Sequence, residues 1–170
     1  MKKIFLSSFL FLSTSFLLSA LQGNLYFLPF SMPLFWTIIL AYYSFRKSLK
    51  FVLLLNIAHC LVLISFSTIP PSHLIMSMNL FSLAFYFVKE RFHTNFWHIS
   101  LGASMAAVTF KMAQWLGSGL VHQFIFPNLL EWLGIGIITF AIAPFLVNFF
   151  ERLDEKIQFE RIDTLENLRI

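Results

Sequence analysis

Charged residues are scarce in this chain, and their scarcity excludes an ordinary soluble domain. Lys, Arg, Asp and Glu together make up 12% of the 170 residues, which is about half of the roughly 25% found in soluble domains. Apolar residues make up 58% and include 23 Phe, and they occur in long runs separated by short polar breaks. This composition predicts an all-α fold, a polytopic integral membrane protein built as a six-helix transmembrane bundle.

Motifs for catalysis or metal binding are also lacking. The single cysteine, Cys60, excludes an internal disulfide, and its place within an apolar run predicts a buried packing residue. Zinc-protease, nucleophile-elbow, CxxC and phosphate-loop signatures are absent. Of the five histidines only His93 and His98 lie close together, with Glu90 as the nearby carboxylate. We therefore expect no enzyme activity, no catalytic residue, no cofactor, no metal and no nucleic-acid partner.

Six apolar segments are long enough, or nearly so, to cross a bilayer as helices. They cover residues 4–21, 25–43, 51–69, 73–88, 97–118 and 129–150, and a charged tail of residues 151–170 follows. The first segment resembles either a cleavable signal peptide or a retained span, and we favour a span because the next apolar run begins almost at once. Pro29 and Pro33 predict that the second helix is kinked or begins late.

The basic residues predict the orientation. With the N-terminus inside, 11 of the 12 Lys and Arg residues fall on the inner side, and the twelfth, Lys111, lies within a segment. The breaks on the outer side, residues 22–24, 70–72 and 119–128, contain no Lys or Arg. This asymmetry predicts that both termini are cytoplasmic.

The last segment carries a stripe of residues spaced three and four apart, as on one face of a helix. The stripe is small or polar at five of its seven positions, which are Glu131, Gly134, Ile138, Ala141, Phe145, Asn148 and Arg152. Small and polar residues favour helix–helix contact in a membrane. We therefore expect this stripe to face the rest of the bundle and a partner, with Pro144 interrupting the helix nearby.

The fifth segment carries a second face of small residues. Ala103, Ala107, Lys111, Gln114 and Ser118 share one stripe, and Gly102 and Ala106 form a small-xxx-small pair beside it, so we expect a packing face that includes one charge. Two interpretations of Lys111 stay open. It forms an ion pair with Glu131 on the next helix, or both side chains reach the outer headgroups separately.

Two further choices are open on sequence alone. Asn56 and His59 share a face of the third segment, where they either line a small polar cavity or make hydrogen bonds between helices. The tail is net acidic, so it does not attract anionic lipid by charge. It either continues the last helix into solvent or docks on a cytoplasmic or sister subunit.

The chain resembles the rod shape-determining protein MreD family over nearly its whole length. One motif is the run Met32-Pro33-Leu34-Phe35-Trp36 that leads to Tyr42-Tyr43, and the other is FAIAPFLVNFFER, with Pro144 late in the last segment and a basic exit at Arg152. The third segment departs from the family pattern, because it has neither a glycine nor a carboxylate, and so does the long acidic tail.

The resemblance implies a non-enzymatic subunit of the cell elongation machinery in the bacterial inner membrane. Such a protein binds the single-span partner MreC, is linked indirectly to MreB, RodA and a penicillin-binding protein, and supports peptidoglycan synthesis. A homo-oligomer is left open. The alternative is the substrate-binding subunit of an energy-coupling-factor vitamin transporter, in which Gly102, Ala103, Ala106 and Ala107 would dock the transport subunit.

Overall fold

The computed structural model describes residues 2–24, 34–65, 70–91, 95–121 and 129–157. Within these residues the chain is helical with short connections, and it contains no strand, so the predicted all-α class is confirmed. The helices are α1 (Lys2–Asn24), α2 (Phe35–Arg46), α3 (Leu49–Ile64), α4 (Pro71–Arg91), α5 (Phe96–Val121) and α6 (Leu129–Ile157).

The centre of the bundle is α2, which packs against all five other helices. Every residue from 34 to 45 is buried, because this helix carries apolar and aromatic side chains all round and no charge before Arg46. Trp36 packs edge-on against Phe110 of α5, with 4.9 Å between ring centroids. The helix begins at Phe35, which agrees with the late start predicted from the prolines, although Pro29 and Pro33 themselves lie outside the described residues.

Contacts along α2 give the directions of its neighbours. Near the end of α2, the ring centroid of Phe45 lies 5.3 Å from that of Phe85 on α4. The Phe45 ring also packs beside Gly102 of α5, where a Cβ atom would lie 3.3 Å from it. Because Phe110 contacts the beginning of α2 and Gly102 its end, α5 runs antiparallel to α2. The Trp36–Phe81 contact at 6.4 Å, together with Phe45–Phe85, makes α4 parallel to α2.

The last helix also runs parallel to α2. The backbone N–H of Leu34, at the start of α2, donates to the Thr139 hydroxyl at 3.4 Å, whereas Arg46 at its end binds Glu151. The two pairs have the same separation along the chain, 105 residues, so the two helices stay in register over this length. The carboxyl ends of α2, α4 and α6 therefore lie at the same end of the bundle.

The helix bounds differ from the predicted segments at three places. Only residues 47–48 separate α2 from α3. Pro71 opens α4, a position where the missing N–H of proline costs no helical hydrogen bond. The last helix continues through Pro144 as far as Ile157, so the first residues of the predicted tail are part of α6.

Within the part of the chain that the structure describes, two helices are long and apolar enough to cross a membrane, Pro71–Arg91 and Leu129–Lys156, judged by length and composition. The apolar helix Leu49–Ile64 is shorter.

Candidate functional site

Charge is concentrated at one end of the bundle, where α2, α4 and α6 finish. We call this the charged end, and it holds Arg46, Lys47, Lys50, Lys89, Glu90, Arg91, Glu151, Arg152, Asp154, Glu155 and Lys156. The parallel course of the three helices explains the clustering, since each one leaves the apolar part of the bundle on the same side. The arrangement brings basic residues of α2 next to acidic residues of α6.

The most deeply placed charge at this end is Lys47. Its Nζ lies 2.6 Å from Asp154 Oδ2, and the two side chains are 2% and 14% exposed. The Tyr42 hydroxyl donates to the same carboxylate oxygen at 2.8 Å. A buried ammonium group is tolerated only when a carboxylate and hydrogen bonds replace its lost water, and Asp154 and Tyr42 meet that requirement.

A second ion pair lies one turn earlier on α6. The Arg46 guanidinium donates to the Glu151 carboxylate, with side chains 13% and 26% exposed. Glu151 and Asp154 are three residues apart, so both point toward the end of α2. We call Tyr42, Arg46, Lys47, Glu151 and Asp154 the ionic clamp. It fixes the start of the predicted tail on the chain's own central helix.

A neutral polar cluster joins α2, α3 and α4 within the core. The Asn56 amide donates to Asn79 Oδ1 at 2.9 Å and to the Ser82 hydroxyl at 3.0 Å, and the Ser44 hydroxyl lies 3.3 Å from that of Ser82. Asn56 therefore makes hydrogen bonds between helices, as one of the two interpretations of this residue predicted. His59 is also fully buried, one turn further along α3.

The predicted packing role of the α6 stripe is wrong within this chain. Glu131, Ala141, Phe145 and Asn148 are exposed, and Gly134 is half-buried. The stripe thus points outward. Its predicted role in binding a partner is not affected, because an outward face is the one that a second protein can reach.

The face of α6 that packs on the bundle is instead centred on Gly136. A Cβ atom at this position would lie 2.8 Å from Val108 Cγ2, and the Ser104 hydroxyl donates to the Gly136 carbonyl oxygen at 2.7 Å. Further along, Phe150 packs against Tyr42 with 5.2 Å between ring centroids. Close approach at a glycine and aromatic packing therefore decide which face is buried.

The packing face predicted on α5 is confirmed for its small residues. Ala103, Ala106 and Ala107 are buried, and a Cβ atom at Gly102 would meet the ring of Phe85 at 3.0 Å. Pro144, the proline predicted to interrupt α6, lies half-buried within that helix.

Lys111 and Glu131 do not form the ion pair that was one of the two interpretations. The ion pairs seen between described residues include Arg46–Glu151 and Lys47–Asp154, and none is seen between Lys111 and Glu131. Lys111 and Gln114 are half-buried on α5, and Glu131 is exposed in the first turn of α6.

Metal-ligating side chains do not cluster in the part of the chain that the structure describes, where no group of three or more His, Cys, Asp or Glu residues could hold an ion. His93 lies outside those residues, and the ring of His98 contacts the Asn95 side chain at 2.6 Å.

Comparison with known proteins gives no matching family model, no matching curated protein and no matching solved structure.

The ionic clamp was missed by reasoning from sequence. Its basic half was assigned to a polar break, and its acidic half to a tail that either continues the last helix into solvent or docks on another subunit. A signal was available, since α2 ends at Arg46 and is followed by Lys47, and the tail begins with Glu151 and Asp154. That pattern predicts an ion pair only when the two helices are known to be parallel neighbours.

Proposed function

We propose that this chain is a multi-span membrane subunit of the bacterial cell elongation machinery that acts by binding other proteins and not by catalysis. The observation that carries the membrane part is the outer surface of the bundle. Large apolar side chains point outward on helix after helix, with exposures of 70% for Leu54, 70% for Met76, 67% for Ile137 and 77% for Phe145. A soluble monomer rarely exposes such a continuous apolar surface.

The charged end supports the orientation. Arg46, Lys47, Lys50, Lys89 and Arg91 lie at that end, whereas the residues that connect the helices at the opposite end contain no Lys or Arg. Basic residues remain on the cytoplasmic side of a membrane. We therefore place the charged end and both termini in the cytoplasm of the cell, with six spans in the inner membrane.

The resemblance to the MreD family supports the biological role. Its two motifs, residues 32–43 and residues 140–152, are far apart in sequence but meet in the fold. Tyr42 and Tyr43, at the end of the first motif, pack on Phe150 from the second, at ring-centroid distances of 5.2 and 6.3 Å. Contact between the two motifs supports treating them as parts of one functional unit.

The proposed partner is an MreC-like single-span protein. Through it the chain is linked to MreB filaments and to peptidoglycan synthesis by RodA and a penicillin-binding protein. The outward faces of α3, α4, α5 and α6 offer the binding surface, because they are apolar and exposed.

The vitamin-transporter alternative depended on an exposed face of small residues on α5, and that face is packed within the chain. Ala103, Ala106 and Ala107 are buried within the chain, and Gly102 is packed against Phe85. These residues are therefore not available for docking a transport subunit.

Co-purification tests the proposal. The affinity-tagged chain is isolated in mild detergent, and proteins and small molecules are identified by mass spectrometry. We expect recovery of a single-span MreC-like protein. Leu80→Ala on α4 and Leu101→Ala on α5, two exposed positions, serve as a matched pair, and loss of the partner in one but not the other identifies the binding face. Recovery of an ATPase module with a vitamin-like molecule would overturn the proposal.

A further inference from the structure

The last turns of α6 carry their acidic and basic residues on different sides. Glu151 and Asp154 point toward the end of α2, where the ionic clamp holds them. Arg152 and Lys156 are four residues apart and therefore share one side of the helix, and both are exposed. The helix thus turns two carboxylates into the protein and two cations away from it.

The ionic clamp changes the charge that this part of α6 presents to its surroundings. Residues 151–156 contain three acidic and two basic side chains, so the segment is net acidic by sequence. Two of the acids are bound by Arg46 and Lys47, and the third, Glu155, is exposed. The exposed charges of the segment are therefore two positive and one negative. The sequence predicted that the tail does not attract anionic lipid, but that prediction counted every charge as exposed.

The exposed side of α6 is apolar just before these cations. Phe145 and Phe149 are 77% and 49% exposed. Phe149, Arg152 and Lys156 follow at spacings of three and four residues, which keep them on the same side of the helix. An apolar surface therefore leads into a cationic one along the helix axis. A phospholipid has the same order of parts, with an acyl chain followed by a phosphate.

An open pocket lies where the apolar surface meets the cationic one. Its lining includes Phe149, Arg152, Leu153, Glu155 and Lys156, so apolar and cationic side chains face the same space. Its volume is about 530 Å³, which lies within the range of roughly 300–1,000 Å³ found for small-molecule sites. Arg and Lys form strong, charge-assisted hydrogen bonds with phosphate oxygens. The pocket therefore fits a phosphate that is joined to an apolar chain.

We propose that this pocket binds an anionic phospholipid of the cytoplasmic leaflet. Arg152 and Lys156 bind the phosphate, and an acyl chain lies along Phe149 and Phe145. The ionic clamp supports the site by holding Glu151 and Asp154 away from the phosphate. This inference rests on the membrane location proposed above.

A lipid without net charge should bind more weakly in this pocket. The choline group of phosphatidylcholine carries a positive charge beside its phosphate, and that charge would lie close to Arg152 and Lys156. Phosphatidylglycerol has the phosphate without such a cation. The proposed site therefore distinguishes the two lipids by charge, whereas a purely apolar surface would bind both equally.

Native mass spectrometry of the full chain in a nonionic detergent, with added phosphatidylglycerol or phosphatidylcholine, tests the site. We expect preferential binding of phosphatidylglycerol. Arg152→Gln/Lys156→Gln should weaken that binding about 30-fold, since each basic residue near an anionic lipid surface contributes roughly fivefold. Lys50→Gln/Arg91→Gln is the matched control, because it removes two exposed cations of the charged end that do not line the pocket. Equal weakening by both variants, or no preference in the unchanged chain, would overturn the proposal.

A gain of affinity tests the site without depending on a damaged variant. Glu155→Gln removes the exposed carboxylate from the pocket lining, so it should strengthen binding of phosphatidylglycerol, and an unchanged or weaker affinity contradicts the proposal. Inorganic phosphate separates the two sources of the anion. If millimolar phosphate displaces the lipid, the pocket binds free phosphate and the lipid assignment is wrong.

Membrane fractionation of cells that express the same variants separates this proposal from the one on which it rests. A chain that stays in the membrane but shows no lipid preference refutes the lipid site alone. A chain found in the soluble fraction refutes the membrane location.

Discussion

At the scale of the residue, Lys47 shows how this chain accommodates charge beside an apolar core. Its ammonium group is buried, and it contacts Asp154 at 2.6 Å. Desolvation opposes such a pair, and the attraction between the charges offsets that cost only if further hydrogen bonds are formed. Tyr42 supplies one. The pair therefore acts mainly by fixing α6 to α2 in one arrangement.

Breaking this pair should destabilise the fold strongly. Asp154→Ala leaves Lys47 buried without its carboxylate, and we expect a loss of about 3–5 kcal/mol in the free energy of unfolding. The double variant Lys47→Met/Asp154→Leu removes both charges and should lose less than Asp154→Ala alone. Thermal unfolding in mild detergent measures the stability of the single and the double variant. Lys50→Met, which removes a nearby exposed lysine, is the control and should change stability by no more than about 0.5 kcal/mol. If Asp154→Ala matched this control, the structural role of the clamp would be refuted.

At the scale of the element, the contact of α5 with α6 depends on a glycine. The Gly136 carbonyl oxygen accepts a hydrogen bond from Ser104, and Val108 occupies the space in which a side chain at Gly136 would begin. In a bilayer, apolar side chains gain little by leaving lipid for protein, so close backbone approach and packing determine which helix faces meet.

Gly136→Ala should therefore separate the two helices. The added methyl group would lie 2.8 Å from Val108 Cγ2, and overpacking of this kind costs about 1–3 kcal/mol. Val108→Ala removes the opposing methyl groups, so the double variant should lose less stability than the sum of the two single variants. A double-mutant cycle of unfolding midpoints measures the difference. Strictly additive losses would show that the contact is not a steric one.

At the scale of the whole molecule, the distribution of charge between the two ends is the main asymmetry. Three parallel helices finish at the charged end, and the opposite end carries no Lys or Arg in its connections. The proposed membrane orientation follows from this difference.

Thiol labelling tests that orientation. In a Cys60→Ser background, Ser72→Cys places an exposed thiol at the start of α4, and Glu90→Cys places one near its end. A maleimide that does not cross the inner membrane should label Ser72→Cys in cells with a permeabilised outer envelope. Glu90→Cys should react only after the inner membrane is disrupted. Labelling of both thiols before disruption would contradict the proposed topology.

The sequence predicted the helical class and the packing of the small residues on α5. Its apolar segments are long, and polar breaks separate them. Gly102 allows the close contact seen with α2 and α4, and Ala106 is buried. The late start of α2 also followed from local chemistry, because proline restricts the backbone around it. Each of these features depends on residues that are neighbours along the chain or on one helix.

The direction in which α6 faces, and the ionic clamp, were decided by the tertiary structure alone. The periodicity of α6 distinguishes its two sides but does not say which one packs inward, because in the proposed membrane location lipid and protein interior are both apolar environments. Likewise, Lys47 and Asp154 are 107 residues apart along the chain, and only the parallel packing of α2 with α6 brings them together. The sequence by itself therefore determined the helices and the uneven distribution of charge, and the packing of α6 on α2 and α5 decided which side chains meet.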